Sequence, residues 1–311
     1  GRQGAMSPQA PTTSRRPRRL TDLLDSRFMA RLDGFDLFSR KMLQGKLQGE
    51  RRSKKRGSGV EFADHRPYVV GDDLRHIDWN IFGRLDQLFL KIFLVEQDLT
   101  VHVVLDLSAS SATGEPAKEL AIKRLGAALA YVGLVNNNRV TLSAFADGLI
   151  GQLPNLRGRG YLQQMADFLL NAECEGPSDF EKACRQLTAT RTGTGLMVVV
   201  SDFFFKAGYE EGLRRLMSRN YDLYAIQMLS PQELAPEISG DLKLIDVEDM
   251  DDAEITVSGA LLDYYKRNLA AYCNEIQAFC RRRGATYVLT NSAEPIEPLM
   301  LNYLRRRGLL R

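Results

Sequence analysis

The sequence predicts an α/β fold: a doubly wound, mostly parallel sheet with helices on both faces, preceded by an N-terminal helical and β-rich subdomain. Two observations carry this. From residue 101 onward, short β-branched apolar runs alternate with longer amphipathic ones. The runs are also continuously apolar, as in Leu196-Met197-Val198-Val199-Val200. A strand covered on one face alternates apolar and polar, whereas a strand covered by helices on both faces does not.

In chain order, residues 1–19 are rich in Pro, Ser, Thr and Arg and end in Arg15-Arg16-Pro17-Arg18-Arg19. Such a segment buries too little apolar surface to offset its ordering entropy, so a disordered basic tail is expected. Between Leu20 and Leu47, Leu32, Phe35, Phe38 and Met42 recur at helical spacing, which predicts one helix or two with Gly34 as the weak point. A basic, Gly-punctuated loop follows from Gly49 to Gly59. Val60-Glu61-Phe62, Pro67-Tyr68-Val69-Val70 and Leu88–Val95 read as strands, with a turn at Gly71-Asp72-Asp73. This subdomain spans 20–97 and the main domain 98–311.

The main domain opens with a strand at Val101–Leu105, a helix over about 116–135, and strands at Val140–Phe145 and Leu149–Leu153. Helices over about 160–170 and 180–186 lead to the strand Leu196–Val200. A helix at about 208–218, the strand Leu223–Leu229, a helix over about 259–283 and the strand Thr286–Leu289 complete the pattern. Residues 231–258 interrupt the rhythm with clustered acidic residues and read as a β-hairpin insertion.

With 311 residues, 44% hydrophobic and 26% charged, the chain is an ordinary globular one. Collagen, a coiled-coil rod and a wholly disordered protein are excluded. Net charge is +3, but residues 1–60 hold 15 Lys/Arg against 5 Asp/Glu, so the basic character sits at the front. The four cysteines form no C-x-x-C pair, which points away from zinc ribbons and thioredoxin sites and towards a reducing cytoplasm. The longest apolar run, Leu125–Val135, has 11 residues, short of the ~18 a membrane span needs. No apolar signal region precedes the basic segments, and a cytoplasmic protein is expected.

Ligands of open α/β sheets sit outside the carboxyl ends of the strands. Two predicted strands end in aspartate there, at Asp106 and Asp202. Asp106 opens the run Asp106-Leu107-Ser108-Ala109-Ser110. Residues i, i+2 and i+4 of a loop leaving a strand can point to one side, gathering a carboxylate and two hydroxyls. These are hard oxygen donors of the kind Mg²⁺ takes. Ser178, in Gly176-Pro177-Ser178-Asp179, offers another hydroxyl. The same residue types also favour turns and helix caps without any metal, Ser178 most of all.

The set resembles the metal-ion-dependent adhesion site of von Willebrand factor A domains. That site uses Asp-x-Ser-x-Ser after the first strand, a Thr in a second loop and an Asp after the fourth strand. The resemblance implies Asp106, Ser108, Ser110, Ser178 and Asp202 as ligands of Mg²⁺ or Mn²⁺. Two departures stand out: Ser178 replaces the Thr, and Phe203 follows Asp202 where the family usually has Gly.

A second resemblance covers nearly the whole chain. Gly57-Ser58-Gly59-Val60-Glu61-Phe62, Arg66-Pro67-Tyr68, Gly71-Asp72-Asp73-Leu74-Arg75-His76-Ile77-Asp78-Trp79 and Glu96 follow one another at the distances seen in the prokaryotic domain-of-unknown-function-58 family. Its members join this block to a von Willebrand A-like core and are commonly encoded beside MoxR-type AAA+ ATPases. The resemblance implies an adaptor in maturing or remodelling protein complexes. Physically, Glu61, Arg66, Asp73, Arg75 and Asp78, interleaved with Trp79 and other aromatics, read as structural ion pairs packed against a core, not as catalytic groups.

No G-x-x-x-x-G-K-[ST] loop, H-E-x-x-H or G-x-S-x-G elbow occurs, so no nucleotide is expected to bind and no catalytic set stands out. The expected function is a non-enzymatic, metal-dependent protein-interaction module that accepts an acidic residue of its partner. Two alternatives remain. One is an Mg²⁺-dependent phosphatase-like hydrolase with Asp106 as nucleophile, although Ser108 stands where a haloacid-dehalogenase pattern needs a second Asp. The other is nucleic-acid binding through the basic front end, for which no reader motif is present.

Overall fold

The computed structural model describes residues 19–39, 60–70, 74–95, 99–189, 194–217, 220–236, 240–245, 252–257 and 259–311. The expected basic tail (save Arg19), the Gly49–Gly59 loop, the Gly71–Asp73 turn with Asp73, and Glu96 lie outside these residues.

Two short helices, α1 (Leu20–Leu23) and α2 (Ser26–Leu32), start the described chain. Strand β1 (Val60–Pro67) is one strand where two were expected. Helix α3 (Trp79–Leu85) and strand β2 (Phe89–Val95) follow, and β1 pairs antiparallel with β2. The main domain then runs β3 (Thr100–Asp106), α4 (Lys118–Val135), β4 (Arg139–Ala146), β5 (Gly148–Leu156), α5 (Leu162–Asn171), α6 (Phe180–Ala189), β6 (Thr194–Ser201), α7 (Glu210–Met217) and β7 (Asn220–Leu229). It closes with α8 (Pro231–Leu234), the hairpin β8 (Gly240–Ile245) and β9 (Asp252–Val257), α9 (Gly259–Arg282), β10 (Thr286–Asn291) and a terminal turn of helix over 296–304.

The main sheet has six strands in the order β10-β7-β6-β3-β4-β5. All neighbours are parallel except β4 and β5, which form a hairpin. The sheet is the doubly wound, mostly parallel one that the sequence predicts. Its strands obey the two-residue alternation of a sheet buried twice. Val101, Val103 and Leu105 join one core, with α1, α2, α4 and the C-terminal helical turn. Val104 joins the other, with α6, α7 and α9. Strand β6 divides likewise: Leu196, Val198 and Val200 on one side, Met197 and Val199 on the other.

Among the described residues, residues 20–37 contribute to this domain's own core. Leu23, Leu24, Phe28 and Leu32 are buried in the α4 core, and Leu37 forms a bridge with Leu310 near the C-terminus. The insertion expected at 231–258 is a hairpin, entered through the short helix α8. Among the described residues, no helix is long and apolar enough to cross a membrane. The four cysteines are free.

Candidate functional site

From β3 the chain runs one way along the sheet to β4 and β5, then crosses back to β6 on β3's other side. The carboxyl ends of β3 and β6 are therefore neighbours at a topological switch point, where doubly wound sheets place ligands. Parallel pairing carries through Leu105 and Val200, so Asp106 and Ser201 end adjacent strands.

Asp106 is fully buried and is held by neutral donors. Its Oδ1 accepts the Ser108 amide at 3.0 Å and the Ser108 hydroxyl at 2.7 Å. Its Oδ2 accepts the Ser201 hydroxyl at 2.6 Å. Burial and the nearby Asp202 carboxylate push its pKa up to about 7, against the smaller opposing effect of the serine hydrogen bonds.

Asp202 is also buried, at 2% exposure, but its partners differ. Its Oδ1 accepts the Phe204 amide at 3.0 Å, and its Oδ2 accepts the Ser110 hydroxyl at 2.9 Å. Ser110 Oγ lies 3.2 Å from Ser108 Oγ, so the hydroxyls link the two carboxylates. The Asp202 loop is held from below by the Gln227 side chain, which donates to the Asp202 carbonyl at 2.7 Å.

Phe203 explains one departure from the adhesion-site pattern. Its φ is +59°, in the left-handed region where glycine is free and a bulky residue is strained. The side chain is buried among Phe180 and Phe205, with ring centroids 6.1 and 5.9 Å away. Its amide donates to Ser201 Oγ at 2.9 Å and its carbonyl accepts from Tyr272. Aromatic packing and two hydrogen bonds hold the turn that glycine would adopt unaided.

The second loop docks on the first through the Ala109 amide, which donates to the Gly176 carbonyl at 3.0 Å. Ser178 is not the cap of α6. Asp179 takes that role, accepting the Lys182 amide at 2.8 Å. The Ser178 hydroxyl is instead buried with no hydrogen-bond partner. Such an atom is costly to leave unsatisfied and calls for an explanation.

Sequence reasoning missed three residues of the cluster. Lys118, on the first turn of α4, is fully buried and reaches Asp202 Oδ2 and Glu233 Oε1, both at 2.7 Å. Burial alone pulls the ammonium's pKa down, yet the two carboxylates outweigh it and leave it above an ordinary lysine. Ser201 binds Asp106 from the next strand. Only Glu233 left a signal: Ser230-Pro231-Gln232-Glu233 is a capping-box sequence, and Ser230 and Glu233 close that box.

The residues present fit a hard divalent cation. They supply two carboxylates and three hydroxyls, and one hydroxyl is the unsatisfied Ser178 Oγ. Among the described residues, no group of three or more His, Cys, Asp or Glu is arranged to hold a metal, so any cation here relies on the serines.

The described residues of the 60–79 block are held differently. Asp78 accepts the Asn80 amide at 2.9 Å and the Ile81 amide at 3.4 Å, capping α3, and lies 2.9 Å from His65 Nε2. Arg66 reaches its neighbour's carbonyl, Pro67 O, at 3.5 Å, and Arg75 is exposed. Glu61 lies in β1. The expected packing of this block does not extend to Trp79, which is 64% exposed on α3 and touches Phe82 edge-on.

These features define an α/β protein with a doubly wound, mostly parallel sheet and an oxygen-rich strand-end cluster. The chain belongs to the family described as "Protein of unknown function DUF58", which it matches over residues 64–275. An uncharacterized protein of Mycobacterium tuberculosis is 26% identical over 297 residues, covering 93% of each chain. Among solved structures, the SpRpn10 VWA domain aligns with a TM-score of 0.38 and 10% identity over 67% of this chain and 95% of that one. A manganese-loaded TRAP protein of Plasmodium vivax aligns with a TM-score of 0.31 and 16% identity over 43% and 58%. The strand order of the sheet itself carries the fold assignment.

Proposed function

We propose that this protein is a non-enzymatic protein-interaction adaptor whose docking point is a divalent cation at the ends of β3 and β6. Asp106, Ser108, Ser110, Ser178 and Asp202 would hold Mg²⁺ or Mn²⁺. The bound ion would supply a coordination position for an Asp or Glu of a partner. The chain's own residues do the rest: Ser201 and Ser108 orient Asp106, Ser110 ties the two carboxylates together, and the Phe203 turn holds Asp202 towards them. The observation that supports this reading best is the unsatisfied, buried hydroxyl of Ser178 in a loop docked on the Asp-x-Ser-x-Ser turn. We further propose that the protein is cytoplasmic, that its client offers an acidic residue to the ion and that, as the family resemblance implies, it works with a MoxR-type AAA+ ATPase.

The test is thermal unfolding of wild type and Asp106→Ala with EDTA, Mg²⁺ and Mn²⁺. Saturation at 100 times the dissociation constant adds ~2.7 kcal/mol to the native state. A rise of a few degrees in wild type alone is expected. Equal behaviour of the two proteins in all three conditions would overturn the cation reading. Phosphoester turnover with Mg²⁺ would replace it with the hydrolase alternative.

A further inference from the structure

Lys118 is misplaced by every ordinary rule for lysine. It is fully buried, and it stands on the first turn of a helix, where the macrodipole disfavours a cation. Among the described residues, two carboxylates meet its ammonium, those of Asp202 and Glu233, and they compensate for this. One of them is a residue proposed to hold the divalent cation. Asp202 Oδ2 thus already faces a positive charge supplied by the protein, and its Oδ1 is taken by the Phe204 amide. Asp106, by contrast, has Ser108 and Ser201 as its hydrogen-bond partners among the described residues, and neither is a cation.

Glu233 is not a loose surface group. Its Oε2 accepts the Ser230 amide at 2.6 Å, and Ser230 is itself buried. The segment is fastened to the loop before Lys118: the Gln232 side chain exchanges hydrogen bonds with the Glu115 backbone at 2.9 and 2.8 Å. A Cβ at Gly114 would lie 2.4 Å from that of Ser230, so the two backbones are in close approach. The Glu233 carbonyl accepts the Tyr265 hydroxyl of α9 at 2.8 Å. The Lys118 ammonium therefore spans a fixed gap between the end of β6 and the segment after β7.

We propose that Lys118 is a built-in cation that competes with a divalent metal for Asp202, metal entry leaving the ammonium to Glu233 alone. The inference rests on the cation reading above. It gives the metal-free site a cation of its own and links metal occupancy to the segment that leads into the β8–β9 hairpin.

The experiment measures Mn²⁺ affinity of the full chain by titration calorimetry and by the electron-spin resonance of free Mn²⁺. Lys118→Met should bind Mn²⁺ at least tenfold more tightly than wild type, because a like charge beside the ion is gone. Glu233→Gln should bind it more weakly, because the ammonium then has only Asp202. If Lys118→Met alone does not fold, the double variant Lys118→Met/Glu233→Gln keeps the local charge unchanged and should still bind more tightly than Glu233→Gln. Binding by the lysine variant but not by wild type supports the proposal. Wild-type affinity equal to or above that of the lysine variants overturns the proposal and leaves the cation reading intact. No binding by any of the proteins overturns both.

Discussion

At the ends of β3 and β6, Asp106, Ser108, Lys118 and Asp202 are shut away from water, whereas around β1, β2 and α3 the structure leaves Trp79, Phe82 and Leu85 exposed. Both regions combine charged groups with hydrogen-bonding partners. Their energetic weight differs because the effective dielectric differs. Two charges a few ångströms apart interact several times more strongly away from bulk water than near it. An exposed ion pair contributes ~0–1 kcal/mol, while breaking a buried one costs several times that. The number of charges in a segment therefore says little about what they do.

The widest gap between the regions should appear on removing a carboxylate. Asp202→Ala leaves the buried Lys118 ammonium with Glu233 as its one described carboxylate partner. A loss of ~3–5 kcal/mol is expected, read as a fall in the urea midpoint at pH 7. A loss below ~1 kcal/mol would erase the distinction, because it would mean that water reaches the strand-end cluster freely.

A somewhat smaller effect should follow pH. Asp106 has a folded-state pKa of about 7, raised by burial and by Asp202, against ~3.9 in an unfolded chain. The folded state thus binds the proton more tightly. This group's contribution to stability is complete below about pH 4 and is lost as pH rises through about 7. Between pH 5 and 8 in EDTA, wild type should lose on the order of 2–4 kcal/mol relative to Asp106→Asn, whose neutral amide has no such slope. Parallel stability curves for the two proteins would show that Asp106 is not the desolvated carboxyl with a raised pKa described above.

The sheet was legible because burial on both faces leaves a direct mark: the apolar run Leu196–Val200 can hardly be anything but a central strand. The Asp-x-Ser-x-Ser turn was legible for a related reason, since polar residues immediately after such a strand fall at the sheet's edge. A helix over about 116–135 is expected and α4 starts at Lys118, but the burial of that first residue is not expected. A lysine followed by Glu119 reads as an exposed first turn, and only the return of Asp202 and Glu233 from 84 and 115 residues away makes it a core residue. Trp79 misled in the opposite direction. An isolated tryptophan among aromatics reads as core, but its burial depends on what packs over a two-turn helix, which local pattern does not encode.

The smallest expected effects sharpen the comparison from the exposed side. Asp78→Ala removes the cap of α3 and the contact with His65, and should cost ~1 kcal/mol. Trp79→Ala, one residue on, should stay within ~0.5 kcal/mol when followed by circular dichroism, because the ring is 64% exposed. Trp79 is the chain's single tryptophan, so wild-type fluorescence reports on this region alone. Emission near that of free tryptophan, quenched readily by acrylamide, should accompany the small loss. A blue-shifted, protected emission together with a loss of ~2 kcal/mol or more would mean that this helix face is covered in solution. The contrast between the two regions would then be one of partner rather than of burial.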